Sequence, residues 1–416
     1  MKDDLSDKKN QLESLIFLIS FFILIIGFCF NSNGQKIKTL YSGHYSFKLP
    51  EDYLQEGENI PNFWITSVDD VTHFLYKNVK KGRIEVIGKS AGGRLIRSVS
   101  YGNSRQGKGT TTFSGSLGFR DVKAYRGPDH EKKVYLGIAA VHGSEFEGIV
   151  GIVNLISVIE TGKDLRGKEW PEINEIVNQL DRLILIPIVN PDGRARIPLR
   201  MEKYRNSDHT VHEYLNTGGY PDGKIIGWPQ IKEFIPLDFG KPVFPGGYPN
   251  DAGVNIQHDD FFGTRQPETQ VLFDLCENER PDLIINMHTG AVFMNLHRPF
   301  AEPVLSSVFD SLYVYVHKRL TMEGLQDTKN IKNETDPSRV PAGTFNLDGA
   351  LNMHCGALSV VVESPSHGFS GKDSEGKIAF HTPDMLLDAQ LICHQEAMRF
   401  LSESGGRSKW TPSPNP

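Results

Sequence analysis

His142 and Glu145 stand three residues apart in the stretch VYLGIAAVHGSEFEG, residues 134–148. At the mouth of a strand, an imidazole and a carboxylate so spaced can point at one ion. Zinc accepts nitrogen and oxygen donors in tetrahedral sites and keeps one position open to water when it is catalytic. An isolated His-x-x-Glu is most often a loop histidine beside an exposed acid. Here the pattern gains weight downstream, where His288 ends a second apolar run and Glu363 a third. Two histidines and two glutamates at one sheet edge would make a compact zinc hydrolase site. His142, Glu145 and His288 would hold one zinc ion, and Glu363 would be the base that takes a proton from water. The metal would bring the pKa of that water toward ~7.

The elements that must position these residues can be read from the apolar pattern. Runs at 134–141, 183–189, 283–287 and 358–362 are continuously apolar, as suits strands buried on both faces. Helical patterns at 149–161 and 268–278 alternate with them. That order predicts an α/β protein with a mixed, mostly parallel sheet between two helical layers. In such sheets ligands bind outside the carboxyl ends of the strands, where His142, Glu145, Asn190, His288 and Glu363 all fall. Upstream, 61–81 predicts a helix, and 83–87 predicts a strand that turns through the glycines of 88–94 into a second strand. The stretch 206–251 is crowded with Gly, Pro, Asp and Tyr and reads as an elaborated loop beside the site or, equally, as an ordinary surface excursion.

The 416 residues suffice for a large core, and a net charge of −6 gives no basic footprint for nucleic acid. Four cysteines form no close-spaced metal pattern and allow a minimal disulfide framework at best. Residues 15–30, LIFLISFFILIIGFCF, are uncharged but shorter than the ~20 residues of a usual spanning helix. Ser32-Asn33-Gly34 behind them offers small residues for a signal peptidase. Residues 1–34 are therefore expected to be a signal peptide or, left uncleaved, a membrane anchor. The catalytic part is expected outside the cytoplasm: periplasmic, extracellular or anchored facing outward. Bulky Phe28 before Cys29 argues against lipidation. At the other end, 383–403 predicts a closing helix, and 404–416, rich in Gly, Pro and Ser, predicts a disordered tail. Residues 60–403 are left as one catalytic domain.

Seven segments, in order, then carry a resemblance. They are Ile87-Gly88-x-Ser90-x-Gly92-Gly93-Arg94, His142-x-x-Glu145, Asn190-Pro191-Asp192-Gly193, Gly253-Val254-Asn255, Pro267-Glu268-Thr269, Met287-His288-Thr289 and Val362-Glu363. The chain resembles the zinc metallocarboxypeptidases of the carboxypeptidase A type. The resemblance implies a three-layer α/β/α fold around a mixed sheet of about eight strands. It implies one Zn2+ on His142, Glu145 and His288, Glu363 as general base, and a peptide substrate. It also implies an arginine for the developing oxyanion some twelve residues beyond the Asn-Pro-Asp-Gly turn. Arg205 falls there, with Arg200 as the competitor.

Two departures mark the chain as atypical. Gln257 and His258 stand where the family's Asn-Arg pair clamps the substrate's terminal carboxylate, and a histidine has no bidentate fork for one. The tyrosine the family commonly places some twenty residues before the catalytic glutamate is missing, since no Tyr occurs from 335 to 362. The expected reaction is hydrolysis of a peptide or cell-wall amide. A deacylase of the aspartoacylase or succinylglutamate desuccinylase type, and a zinc-free binding module on the same fold, are the competing readings. His297, His354 and His367 read as structural or exposed, and His258 shares that reading. Oligomeric state stays open.

Overall fold

The computed structural model describes residues 36–411 apart from 43–44, 55, 57–58, 108, 110–125, 202–208, 228–229, 233–235, 291–293, 326–335, 340–342, 344, 366–369 and 373–377. The expected signal or anchor, 1–34, lies outside the described residues. Among the described residues no helix is long and apolar enough to cross a membrane.

The central sheet has seven strands in the described residues: β1 (Arg83–Lys89), β2 (Leu95–Gly102), β3 (Val134–Ala139), β4 (Arg182–Ile186), β5 (Leu283–Gly290), β6 (Asn295–Leu296) and β7 (Leu358–Pro365). Their spatial order is β1-β2-β4-β3-β5-β7-β6. Strands β4, β3, β5 and β7 are parallel, and the pairings β1/β2, β2/β4 and β6/β7 are antiparallel. The mixed, mostly parallel sheet expected from sequence is present.

Strand side chains alternate between two separate cores, which makes the three layers. Val134, Leu136, Ile138, Ile184 and Ile284 pack on one face against helices α4 (Pro267–Glu279) and α6 (Leu347–Cys355). Tyr135, Ala139, Leu183, Leu185, Leu283, Ile285 and Met287 pack on the other. There they meet α1 (Val68–Asn78), α2 (Phe146–Thr161), α5 (Pro303–Met322) and α7 (Pro383–Ser404). Helix ends follow local chemistry. Ser67 caps α1, which shortens the expected 61–81 helix, and Gly162 and Gly405 close α2 and α7 at φ 87° and 79°. Asn190 caps α3 (Pro191–Arg196), accepting from the Gly193 amide while Pro191 takes the first turn.

Two expectations about the ends are corrected. A hairpin of Ile37–Ser42 and Tyr45–Pro50 precedes the domain start set at residue 60, and it buries Phe47 and Leu49 in the main core. The tail expected to be disordered from 404 instead turns into a short helix, Arg407–Trp410. Arg407 donates its amide to Asp282 and pairs with Glu302 at 2.8 Å, and Trp410 stacks near Phe400. An anchoring arginine and tryptophan outweigh the composition around them. Residues 412–416 lie outside the described part.

Candidate active site

The carboxyl ends of β3, β4, β5 and β7 meet at one edge, and each delivers a piece of the site. Beyond β3 the chain turns at Ala140, a non-glycine residue at φ 53°, and runs into His142. The turn is held by Val189 and Asn190, whose amides donate to the Ala139 and Ala140 carbonyls at 3.0 and 2.9 Å. Gly143 is required by close approach, since a Cβ there would run into the backbone of Gly193 and Arg194. Glu145 stands at the N-terminus of α2 and leaves it uncapped, its carboxylate being turned to the imidazoles instead.

Those three side chains converge. His142 Nδ1 lies 2.8 Å from Glu145 Oε1, and His288 Nδ1 lies 3.0 Å from Glu145 Oε2. All three are buried, and one donor atom from each lies within 4.8 Å of the others. Among the described residues no other cluster of His, Cys, Asp or Glu meets that condition. Asn255 fixes which nitrogen of His142 faces the centre. Its Nδ2 donates to the Ile231 carbonyl, so its Oδ1 is left to accept from the Gln257 amide and from His142 Nε2, at 2.9 Å. His142 therefore carries its proton on Nε2 and offers Nδ1, as a metal-binding histidine with a partner on its far nitrogen does. The donor set of two imidazole nitrogens and a carboxylate is the one zinc takes. The residues fit the ion.

The electrostatics of the protein alone point the same way. Burial by itself would raise Glu145, but the charges of His142 and His288 and their hydrogen bonds outweigh it and hold the carboxyl at about 2. Burial disfavours charge on His288, yet Glu145 lifts it to about 9, with lesser help from Glu363 and Asp348. A buried anion has drawn positive charge toward itself, as a dication would supply it.

Glu363 stands beside His288 in the parallel β5/β7 register and is half-buried. Burial raises its carboxyl to about 7, with Glu145 adding and His288 opposing. Gly290, two residues past His288, leaves room for it, since a Cβ there would lie 2.8 Å from Glu363 Oε2.

Other sequence-predicted residues fare differently. Arg205 lies outside the described residues. Arg200 is exposed and lies 3.7 Å from Glu56, while its carbonyl accepts from Trp64 and Thr66. Gln257 and His258 are buried. Gln257 Nε2 donates to Asp348 Oδ2 at 2.9 Å and its Oε1 accepts from Asn286, so both ends of the amide are engaged within the protein. Asp348 also accepts from Asn286 and from Ser359 at 3.0 and 2.6 Å. His354 lies against the Phe273 carbonyl at 3.1 Å, in keeping with a structural role, and His367 lies outside the described residues.

The glycine-rich hairpin and the Asn-Pro-Asp-Gly turn are braces. Asp192 accepts from Ser90 Oγ, the Gly92 amide, Arg94 and the Asp251 amide at 2.6, 2.7, 2.7 and 3.1 Å, and Arg94 also reaches Asp251. The elaborated loop does border the site. Gly247 accepts from the Gly143 amide at 2.8 Å, and the Tyr248 ring lies on His142. Sequence reasoning missed Tyr248, and missed Glu147, which accepts from Thr289 Oγ1 at 2.9 Å and ties the His142 and His288 segments together. Neither carries a periodic or spacing signal. Asn255 lay in a recognised segment, but only its contact gives it a role.

No match was found among curated proteins. Similar solved structures include a metallo-carboxypeptidase from Burkholderia cenocepacia, at 12% identity and TM-score 0.49, covering 89% of this chain and 82% of that one. A metallo-carboxypeptidase from Pseudomonas aeruginosa in complex with (2-guanidinoethylmercapto)succinic acid shares 13% identity at TM-score 0.48, covering 89% and 81%. Carboxypeptidase A from Helicoverpa armigera shares 14% at TM-score 0.47, covering 82% and 75%. The zinc carboxypeptidase family's sequence model matches residues 77–354, a stretch containing His142, Glu145 and His288, and the chain belongs to that family of zinc metallopeptidases.

Proposed function

We propose that this zinc metallopeptidase is an exported enzyme that hydrolyses a peptide or peptide-like amide, with His142, Glu145 and His288 holding one zinc ion and Glu363 as general base. The observation that carries the reading is the convergence of three buried donors beside a second carboxyl, Glu363, on the neighbouring strand. Zinc bound there would polarise the scissile carbonyl and lower the pKa of water. Glu363, raised toward neutrality by burial, is suited to accept a proton from that water and return it to the leaving amine. Asn255 keeps His142 in the productive tautomer, and the β5/β7 pairing fixes Glu363 against His288. Arg205 is the proposed partner of the developing oxyanion, where a fixed cation contributes ~3–4 kcal/mol. Export rests on the apolar leader at 15–30.

Gln257 and His258 favour a second reading of the substrate. Gln257 is committed to Asp348 and Asn286, and His258 lacks a guanidinium, so a plain peptide carboxylate meets no bidentate clamp at these two positions. Cell-wall stem peptides and acylated small molecules, the substrates of amidases and deacylases, follow from that. The test is a mixed peptide library incubated with zinc-quantified protein, with and without chelator, and read by mass spectrometry. Stepwise C-terminal trimming abolished by chelator is expected of a carboxypeptidase. Zinc bound with no trimming would transfer the assignment to cell-wall or acylated substrates. His258→Arg is expected to raise kcat/KM on free C-terminal carboxylates, and no gain would remove His258 from the specificity position.

A further inference from the structure

Tyr248 comes from the elaborated loop, far in sequence from every proposed ligand, yet its ring lies flat on the His142 imidazole. The centroids are 3.7 Å apart and the planes 8° from parallel. The contact is imposed by the backbone on both sides. The Gly247 amide donates to the Leu215 and Asn216 carbonyls at 2.9 Å, and the Tyr248 amide to Asn216 at 3.1 Å. In the other direction the Gly247 carbonyl accepts from Gly143, next to the ligand, and the Tyr248 carbonyl accepts from Asn190 Nδ2 at 3.1 Å. The ring itself packs with Ile226 and Ile231 in a small apolar cluster of the loop. His142 is thus held in its plane by Glu145 and Asn255, one at each nitrogen, and against its face by Tyr248.

We infer that Tyr248 is a positioning residue for the metal centre: its ring holds the plane of the His142 imidazole so that Nδ1 points at the ion. In-plane hydrogen bonds fix the direction of each nitrogen but resist tilting of the ring weakly; a parallel ring in van der Waals contact resists it directly. An imidazole that donates to a dication becomes electron-poor, and the electron-rich face of a phenol is a favourable neighbour for it. This gives the loop a task beyond shaping the surface. The inference rests on His142 being a ligand, as proposed above.

The test uses the full catalytic chain as purified, with zinc and cobalt(II) as probes. Zinc affinity is measured by competition with a chromophoric chelator, and the visible spectrum of the cobalt-loaded protein reports the coordination geometry. Tyr248→Phe keeps the ring and is expected to match the parent in both. Tyr248→Leu keeps much of the bulk without a flat face. It is expected to bind zinc about 10-fold more weakly, the lower end of what outer partners of metal ligands contribute, and to shift the cobalt bands. A Tyr248→Leu protein with parental zinc affinity and an unchanged cobalt spectrum would overturn the inference. Should that variant fail to fold by circular dichroism, Tyr248→Met, whose flexible side chain fills irregular gaps, is judged by the same two readouts. A parent that takes up neither metal removes the ligand assignment, and the inference falls with it. A parent that takes up both while the variants equal it removes the inference alone.

Discussion

Gly290→Ala is the substitution that separates the proposed base from the proposed ligands. Gly290 ends β5, and its backbone is not in the left-handed region, so alanine fits it without strain. The added methyl would lie 2.8 Å from Glu363 Oε2 and 3.5 Å from its Cδ. Ordinary contact of a Cβ begins at 3.4 Å, so one carboxylate oxygen has to retreat by 3.4 − 2.8, or about 0.6 Å. It can do so by turning about its own side-chain bonds, which is why the fold is expected to accept the change. Glu363 nonetheless loses its place. A 1 Å misplacement of a reacting group costs about 10²-fold, so half that distance predicts about a 10-fold fall in kcat/KM, or ~1.4 kcal/mol. The assay is kcat/KM on the best substrate of the library, together with bound zinc and the thermal midpoint. Parental kcat/KM with full zinc would refute the placement of Glu363 at the reacting water. Loss of zinc would instead show that the methyl acts on the ligands.

Glu363→Gln is expected to keep its zinc and lose ~10²–10⁴ in kcat/KM, and retained activity would take Glu363 out of the mechanism. Gly143→Ala drives a methyl into the backbone of Gly193 and Arg194, atoms that cannot swing aside as a side chain would. A loss of ~3 kcal/mol or more in urea unfolding is expected, and a near-parental midpoint would mean the ligand loop is not pinned to that turn. Glu268 gives a pH signature away from the metal. Burial raises it to about 7 from an ordinary 4.5, against the hydrogen bonds from Ala91 and Asn250 and with some help from Asp192. The folded state thus binds the proton more tightly than the unfolded one. Its effect is absent below about pH 4.5, and stability falls as pH rises through 7, by about 3 kcal/mol relative to Glu268→Gln. Unfolding free energies of the two proteins that run parallel from pH 4 to 8 would dismiss the buried charge.

The cluster of His142, Glu145 and His288 was legible in the sequence because a zinc site of the kind proposed demands particular side chains at strand ends, and strand ends show as the close of apolar runs. The roles proposed for these residues and for Glu363 rest on that reading, and β3, β5 and β7 fall within a few residues of the expected runs. The edge strand β6 has two residues and no pattern to find. The hairpin at Ile37–Pro50 was overlooked because it belongs to the core through Phe47 and Leu49 with Leu40 packed against it, too few for a period to register. The tail was misread for a similar reason. Gly405 and Gly406 suggested disorder, whereas both take left-handed φ, 79° and 71°, to turn the chain so that Arg407 reaches Asp282 and Glu302.

What the sequence hides is whatever depends on segments meeting. Asn255 sits 113 residues from the histidine it orients, and its role follows from a flip fixed by a third residue, Ile231. Gln257 shows the limit most sharply. By position it stands where the family places a reader of the substrate's end, and its side chain has the donors and acceptor to read one. The fold spends both on Asp348 and Asn286. Turning a glutamine amide so held toward substrate gives up a bond to a buried carboxylate, and leaving such a carboxylate underserved costs roughly 1–3 kcal/mol. Recognition of a substrate end is therefore better sought in groups that are not already committed. The same polar side chain, at the same place in the chain, serves as scaffold in one neighbourhood and as specificity in another, and only its hydrogen-bond partners distinguish the two.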